Sequence, residues 1–456
     1  MLFLSLVVVL MPILFGFFIV DIIDRENSPL NNILYKLPLS VGIGFGFSSC
    51  LFFLWLMLFN TKNYYNFFET TIISILGIIW FLTKKNYINL KDPALPLRKD
   101  KNLFNKLLCL VFILAIIYFI GIVLKNPHGE ADAIYIWNFK ARYIFRALEG
   151  HWKGLFSSSA AWPDYPLLLS LFISKCWTFL SSETFFVPFW VSFFFTISVP
   201  FMLYGFFKAQ NKVFIAAIST IMILLLSIFV MKGANQIADI PLSLYFLSTL
   251  SLLVSKDKIF SSKKSLLLAG ITMGLACWTK NEGILFALFV FCTFGLKFLY
   301  EKNKNFIYFI GGISLVAPVL AIFKIAFPFK NPFISNISYN SFILNITDIG
   351  RYIFILKKFM FFAYANILRY WWGLIPVLVL VIFEKAFCIK KLKANFESIS
   401  LLLLMLLGYF FVYLTSNIPL EWLIQTSLFR LYAQILPCFI LLLFYFIDES
   451  KFSKYL

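Results

Sequence analysis

Histidine is almost absent from this chain: His128 and His151 are the only two in 456 residues. The seven cysteines, at 50, 109, 176, 277, 292, 388 and 438, are scattered mostly through apolar runs, with no CxxC or Cys/His spacing. Neither a disulfide framework nor a zinc site is expected. No GxGxxG or Walker-type loop precedes a helix, so nothing supports nucleotide binding. Charge is scarce as well, at 13% of residues. Hydrocarbon fills the chain instead: 61% of residues are hydrophobic, 20% aromatic, and the mean hydropathy is +0.88. A soluble protein of this size could not cover that much apolar surface, which leaves an all-α polytopic membrane protein.

The formal charge of +19 would point to nucleic acid in a soluble chain. Here the lysines cluster in short loops between apolar runs. There they set topology and meet anionic membrane lipids, and no nucleic-acid partner is expected. Runs long enough to span fall near 2–20, 38–60, 70–83, 106–124, 185–207, 213–231, 239–255, 265–279, 283–298, 306–326, 371–384, 398–415 and 431–447, about 13 in all. The first has no basic leader and no small-residue cleavage site, so it reads as a retained span.

The segment 84–106 carries seven Lys/Arg and is placed in the cytoplasm, so the stretch after span 106–124 lies outside. Two further runs are ambiguous: 165–180, interrupted by Lys175, and 352–368, interrupted by Lys357 and Lys358. A crossing at 165–180 would put the basic loops 208–212, 256–264 and 297–305 outside. This run is therefore expected along the outer interface as an amphipathic juxtamembrane helix. The four basic residues of 385–393 place 352–368 at the interface in the same way. The expected organisation is an N-terminal three-span extension with a basic cytoplasmic loop, 1–105, and a transmembrane domain, 106–456. Its outer segments are 125–184 and 327–370, with a short one near 416–430.

Acid beside hydrocarbon costs several kcal/mol unless it is paired or used. The densest acidic stretch runs from His128 to Arg142, with Glu130 and Asp132 followed by Tyr135, Trp137, Lys140 and Arg142. A carboxylate at the water–lipid boundary suits a general base, because partial desolvation raises its proton affinity. A second fragment, Trp162-Pro163-Asp164-Tyr165-Pro166, holds an acid in a proline-fixed backbone. A third, Asn235 to Leu242, offers Asp239 either to a substrate or as a helix cap before Pro241. A fourth, Gly274 to Gly283, places Lys280 and Glu282 at the membrane surface, where a lysine binds phosphate or simply snorkels. In a fifth, Glu421 to Leu431, Arg430 is the only basic residue of its outer segment and offers paired donors to phosphate oxygens, or serves as an anchor. Together the fragments bring three outer carboxylates and at least two cations to one membrane face.

The order of these fragments resembles the GT-C superfamily of lipid-sugar-dependent glycosyltransferases, specifically the clan of protein O-mannosyltransferases and aminoarabinose transferases (family 39-like). The matching residues are Asp132 through Arg142, Pro163 to Leu167, Ala238 to Leu242, Gly274 to Gly283, and Thr426 to Arg430, over about 106–447. The resemblance implies transfer of a sugar from a polyprenyl-phosphate donor, with inversion, to a lipid, glycan or protein acceptor. It implies a site on the extracytoplasmic face of the cell (inner or plasma) membrane. Asp132 is the favoured base. Glu130 is the other candidate, because the family often has adjacent acids where Ala131 separates these two. Lys140, Arg142, Asp164, Tyr165, Asp239, Lys280, Glu282 and Arg430 are the expected substrate and phosphate ligands. No cofactor and no metal site are expected, although three acids leave room for a divalent ion. Two other classes stay open. A ligase or polymerase of lipid-linked glycans would lean on arginines and histidines in a large late loop. A sugar or lipid transporter would carry acids near mid-membrane.

Overall fold

Backbone N–H and C=O groups cannot be left bare in hydrocarbon, and a single run of about 20 apolar residues satisfies them only as a helix. The computed structural model describes residues 1–24, 32–88, 102–157, 162–255, 259, 261–329, 337–370, 389–393 and 395–447. Among these residues every regular element is helical. In chain order they are α1 (Leu2–Ile23), α2 (Ile33–Phe59), α3 (Tyr65–Ile88), α4 (Asn102–Lys125), α5 (Asn138–Arg146), α6 (Leu168–Leu180), α7 (Phe186–Lys208), α8 (Val213–Leu225), α9 (Ser227–Ala234) and α10 (Asp239–Val254). Beyond these lie α11 (Ser262–Thr279), α12 (Asn281–Val290), α13 (Leu296–Tyr300), α14 (Phe306–Ser314), α15 (Ala317–Ala326), α16 (Tyr339–Thr347), α17 (Ile349–Tyr370), α18 (Ile389–Lys393), α19 (Phe396–Thr415) and α20 (Leu420–Tyr445).

Eight helices among the described residues are long and apolar enough to cross a membrane, or up to ten if each of two bent pairs counts as one span. The protein is therefore a multi-pass membrane protein. The bent pairs are α8 with α9, at 63°, and α14 with α15, at 42°. The second bend sits just ahead of Pro318, whose ring and missing N–H stop the preceding turn from continuing. Of the remaining expected spans, 239–255 is the 16-residue α10 and 265–279 lies in α11, which begins with Lys263 and Lys264. The run 371–384 lies outside the described residues.

Helix α10 rises only about 24 Å, short of the roughly 30 Å hydrocarbon core, yet 15 of its 16 residues are buried. It packs on α2, α7, α11 and α20. A helix surrounded by other helices needs no lipid-facing side, so its serines and threonines find partners across the contacts. Ser251 meets the Tyr35 hydroxyl at 2.7 Å, and Thr249 meets Thr272 at 2.9 Å. The first three helices pack into this body: α2 contacts α6, α7, α10 and α11. At one end Lys36 lies 2.6 Å from Asp21 and 3.0 Å from Asp24, all buried. Lys264 of α11 lies 3.6 Å from the same Asp24.

The run expected at 165–180 is the 13-residue α6, too short to cross the hydrocarbon core on its own. Ten of the 13 residues of α6 are buried, against α2, α5 and α7, so neighbouring helices cover most of it. Lys175, which interrupts the run, is compensated by Glu69 of α3 at 2.7 Å. The other ambiguous run behaves differently. Helix α17 presents Ile349, Ile353, Leu356 and Met360 outward, while Ile355 and Phe362 pack on α20 residues such as Leu428 and Phe429.

Candidate active site

The loop after α4 is stitched to the link between α9 and α10. The Glu130 N–H donates to the Asn235 carbonyl (3.2 Å), Gln236 Nε2 to the Pro127 carbonyl (2.9 Å), and Asn138 Nδ2 to Gln236 Oε1 (3.1 Å). Gly129 permits this approach. Its φ of +80° is in glycine's own region, and a Cβ there would lie 2.6 Å from the Asn235 oxygen. The stitching carries Asp132 to the start of α10, where Asp239 sits.

Asp239 is not a helix cap. It is the first residue of α10, and no side-chain cap bond forms at that end. Its carboxylate, 0% exposed, instead accepts from Lys280 Nζ at 3.0 Å, from Arg430 Nε at 3.0 Å, and from Gln434 Nε2. A buried carboxylate is tolerable only with such partners, and the positive end of the α10 dipole helps. Gln434 lies one turn beyond Arg430, and the Tyr409 hydroxyl orients its amide at 2.9 Å.

Lys280 owes its position to a tight reversal. It is the single extended residue (φ −160°, ψ 157°) between α11 and α12. Helix α12 folds back so closely that a Cβ on Gly283 would lie 2.0 Å from the Ala276 oxygen. The ammonium is thereby held between Asp239 and Glu282, the latter at 2.7 Å, with the Tyr165 ring 5.9 Å away. On the other side, Arg430 Nη1 lies 2.6 Å from Asp132 Oδ2. The result is an alternating row: Asp132, Arg430, Asp239, Lys280, Glu282.

A second group adjoins the row through Tyr165 and Asn281. Trp137, Tyr165 and Trp162 form a stack, with successive rings 5.6 Å and 5.9 Å apart at 8° and 17°. Asp164 Oδ2 accepts from Asn281 Nδ2 at 2.7 Å, while its buried Oδ1 has no hydrogen-bond partner among the described residues. Burial pushes the Asp164 carboxyl above its usual range, against the pull of Asn281, Lys324 and Lys140. Lys140 is buried and donates to the carbonyls of Trp162 (2.7 Å) and Tyr165 (3.2 Å). Burial pushes its ammonium down to about 7, against the pull of Asp164 and with a contribution from Lys324. Lys140 thus clamps the turn that carries Asp164, and does not point a free charge at a ligand.

Two expected residues stand outside the row. Glu130 accepts from Lys232 Nζ (2.9 Å) and Asn235 Nδ2 (2.7 Å), and its contacts are with the neighbouring loop. Arg142 pairs with Glu183 at 2.7 Å, and Arg146 joins them at 2.8 Å. Burial works against the Glu183 charge, but the two arginines hold its carboxyl below the usual range. Sequence reasoning missed Lys324, Asn281, Gln434 and Lys232 as members of the site. Lys324 and Gln434 carried a usable signal, since each is a polar group within an apolar run. Among the described residues no three His, Cys, Asp or Glu side chains are grouped to hold a metal ion. The chain matches no family model, no curated protein and no solved structure.

Proposed function

We propose that the protein is a GT-C-type membrane glycosyltransferase of about thirteen spans. It moves a sugar from a polyprenyl-phosphate donor to an acceptor hydroxyl on the extracytoplasmic face of the cell membrane. The observation that carries this reading is the row itself. Two cations 3.0 Å from one buried acid are held at one end of the bundle, with a more exposed carboxylate, Asp132, against Arg430. Such a set can receive a phosphate and take a proton within one small space.

In this mechanism Asp132 removes the proton of the acceptor hydroxyl, whose oxygen attacks the anomeric carbon from the side opposite the phosphate. The bond from that carbon to the phosphate oxygen breaks and its electron pair stays on the phosphate, so configuration inverts. Arg430 and Lys280 meet the charge that grows on the leaving phosphate, which is where preorganised cations contribute most. Asp239 is a positioning residue: fully buried, it fixes both cations without reaching substrate. Asp164 and the Trp162–Tyr165 stack flank the place where a sugar would lie. The count of basic residues in the loops supports the outer placement.

The reading is tested by incubating the purified protein with a panel of polyprenyl-phosphate sugars and following donor consumption by mass spectrometry. Consumption of a donor, dependent on Asp132, is expected. Movement of lipid across reconstituted vesicles with no sugar released would overturn the reading in favour of a transporter.

A further inference from the structure

The row of ion pairs carries more acid than base. Asp132, Asp239 and Glu282 bring three negative charges to Lys280 and Arg430, which bring two positive ones. An arriving phosphate would add further negative charge beside a carboxylate that is 0% exposed. Like charges in a poorly hydrated site repel strongly, so one carboxylate must leave its cation as the phosphate takes its place.

The three acids are not equally held. Asp239 has three donors and no exposure. Glu282 is tied to Lys280 within the tight α11–α12 reversal. Asp132 is 29% exposed, and its one ion pair among the described residues is with Arg430. That pair is poorly formed as a hydrogen bond, for Asp132 Oδ2 is buried without an aligned donor despite the 2.6 Å approach. Asp132 also precedes a single π-helical turn, Ala133–Trp137, a wound-wide segment that a one-residue adjustment can tighten. Arg430 is anchored from the other side by Nε to Asp239, so it keeps its place when Asp132 lets go.

The geometry points to Asp132 as a built-in stand-in for the donor phosphate: it occupies the outer edge of the Arg430 guanidinium until the phosphate displaces it. This rests on the proposed reaction and deepens it, because the displaced carboxylate is the base of that reaction. The base is held by Arg430 while the site is empty and is released only when donor is bound. The order of addition is then donor first, acceptor hydroxyl second. Without donor, Asp132 is committed to Arg430 and is not offered to a hydroxyl.

The test is equilibrium binding of a sugar-free polyprenyl phosphate to the full-length protein in detergent. Wild type, Asp132→Asn, Asp132→Ser and Glu149→Gln are compared. Glu149 is an acid on the same loop whose side chain accepts only from Thr61 and Asn63 among the described residues. Removing the competitor should tighten binding by on the order of tenfold for either Asp132 variant, with Glu149→Gln unchanged. Equal or weaker binding by both Asp132 variants, beside measurable binding to wild type, would overturn the stand-in and leave the lipid-phosphate reading in place. Equal tightening by Glu149→Gln would reduce the effect to net charge and overturn it likewise. Failure of every protein to bind the lipid phosphate would instead strike the reading beneath.

Discussion

Lys324 of α15 donates to the backbone carbonyl of Asp164 at 2.6 Å, across 160 residues of sequence. The same ammonium reaches Asn281 Oδ1 at 3.2 Å, and Asn281 in turn holds the Asp164 carboxylate. A cation from α15 thus fixes the peptide and, through one amide, the side chain of the acid beside the row.

Lys324→Met should therefore loosen the Asp164 turn without removing any group from the row. A hydrogen bond from a charged donor contributes about 1.5–3 kcal/mol, so transfer should fall by roughly tenfold to a hundredfold while the fold persists. Steady-state kinetics and a melting curve in the same detergent check this. Unchanged transfer would show that Asp164 holds its place unaided.

Lys140 gives the stability of the protein a pH signature. Burial lowers its ammonium from 10.5 to about 7. Between those values the unfolded chain binds the proton more readily than the folded one, so stability rises with pH across that window. Below it the penalty of the buried charge is present in full. Lys140→Met removes this contribution. The melting temperature of wild type minus that of the variant should increase from pH 6.5 to pH 9, and a flat difference would contradict the assignment.

Glu69 and Lys175 are both buried and 2.7 Å apart, and Ser48 donates to the second Glu69 oxygen. Removing one partner leaves a charge stranded, at a cost of about 3–5 kcal/mol, whereas removing both can be nearly neutral. Lys175→Met should cripple thermal stability, and Glu69→Gln with Lys175→Met should recover most of it. A double variant no better than the single one would mean the pair is not coupled.

Gly283 and Gly311 make a contrasting pair. A methyl group at 283 collides with backbone of Ala276, whereas among the described residues nothing lies within 4 Å of one at 311. Gly283→Ala must prise α12 from α11 and displace Lys280, with an overpacking cost of about 1–3 kcal/mol and loss of transfer. Gly311→Ala should stay within about 0.5 kcal/mol of wild type. Thermal shift and activity, read together, test both.

Hydropathy alone located most of the helices, because an apolar run in a bilayer has no other way to satisfy its backbone. It left 165–180 ambiguous because the partner that neutralises Lys175 is Glu69, 106 residues away. The same limit applies at the site. Asp239 reads locally as an ordinary helix start, and the partners that give it a different use, Lys280, Arg430 and Gln434, lie 41, 191 and 195 residues away. Arg142 stands in the same acidic stretch as Asp132, yet Glu183 takes it. Local pattern tells where charges lie along the chain. Which charge meets which is decided by packing between elements far apart in the chain, as where Arg430 of α20 meets α10 and at the Gln236 stitching.

The rate of sugar transfer by Asp132→Asn at saturating polyprenyl-phosphate donor bears most directly on the proposed role of Asp132. A fall of about 10²- to 10⁴-fold is expected, the usual worth of a positioned general base, with the donor lipid still bound. A rate within about threefold of wild type would contradict that role, since a general base worth that much cannot be removed at so small a loss.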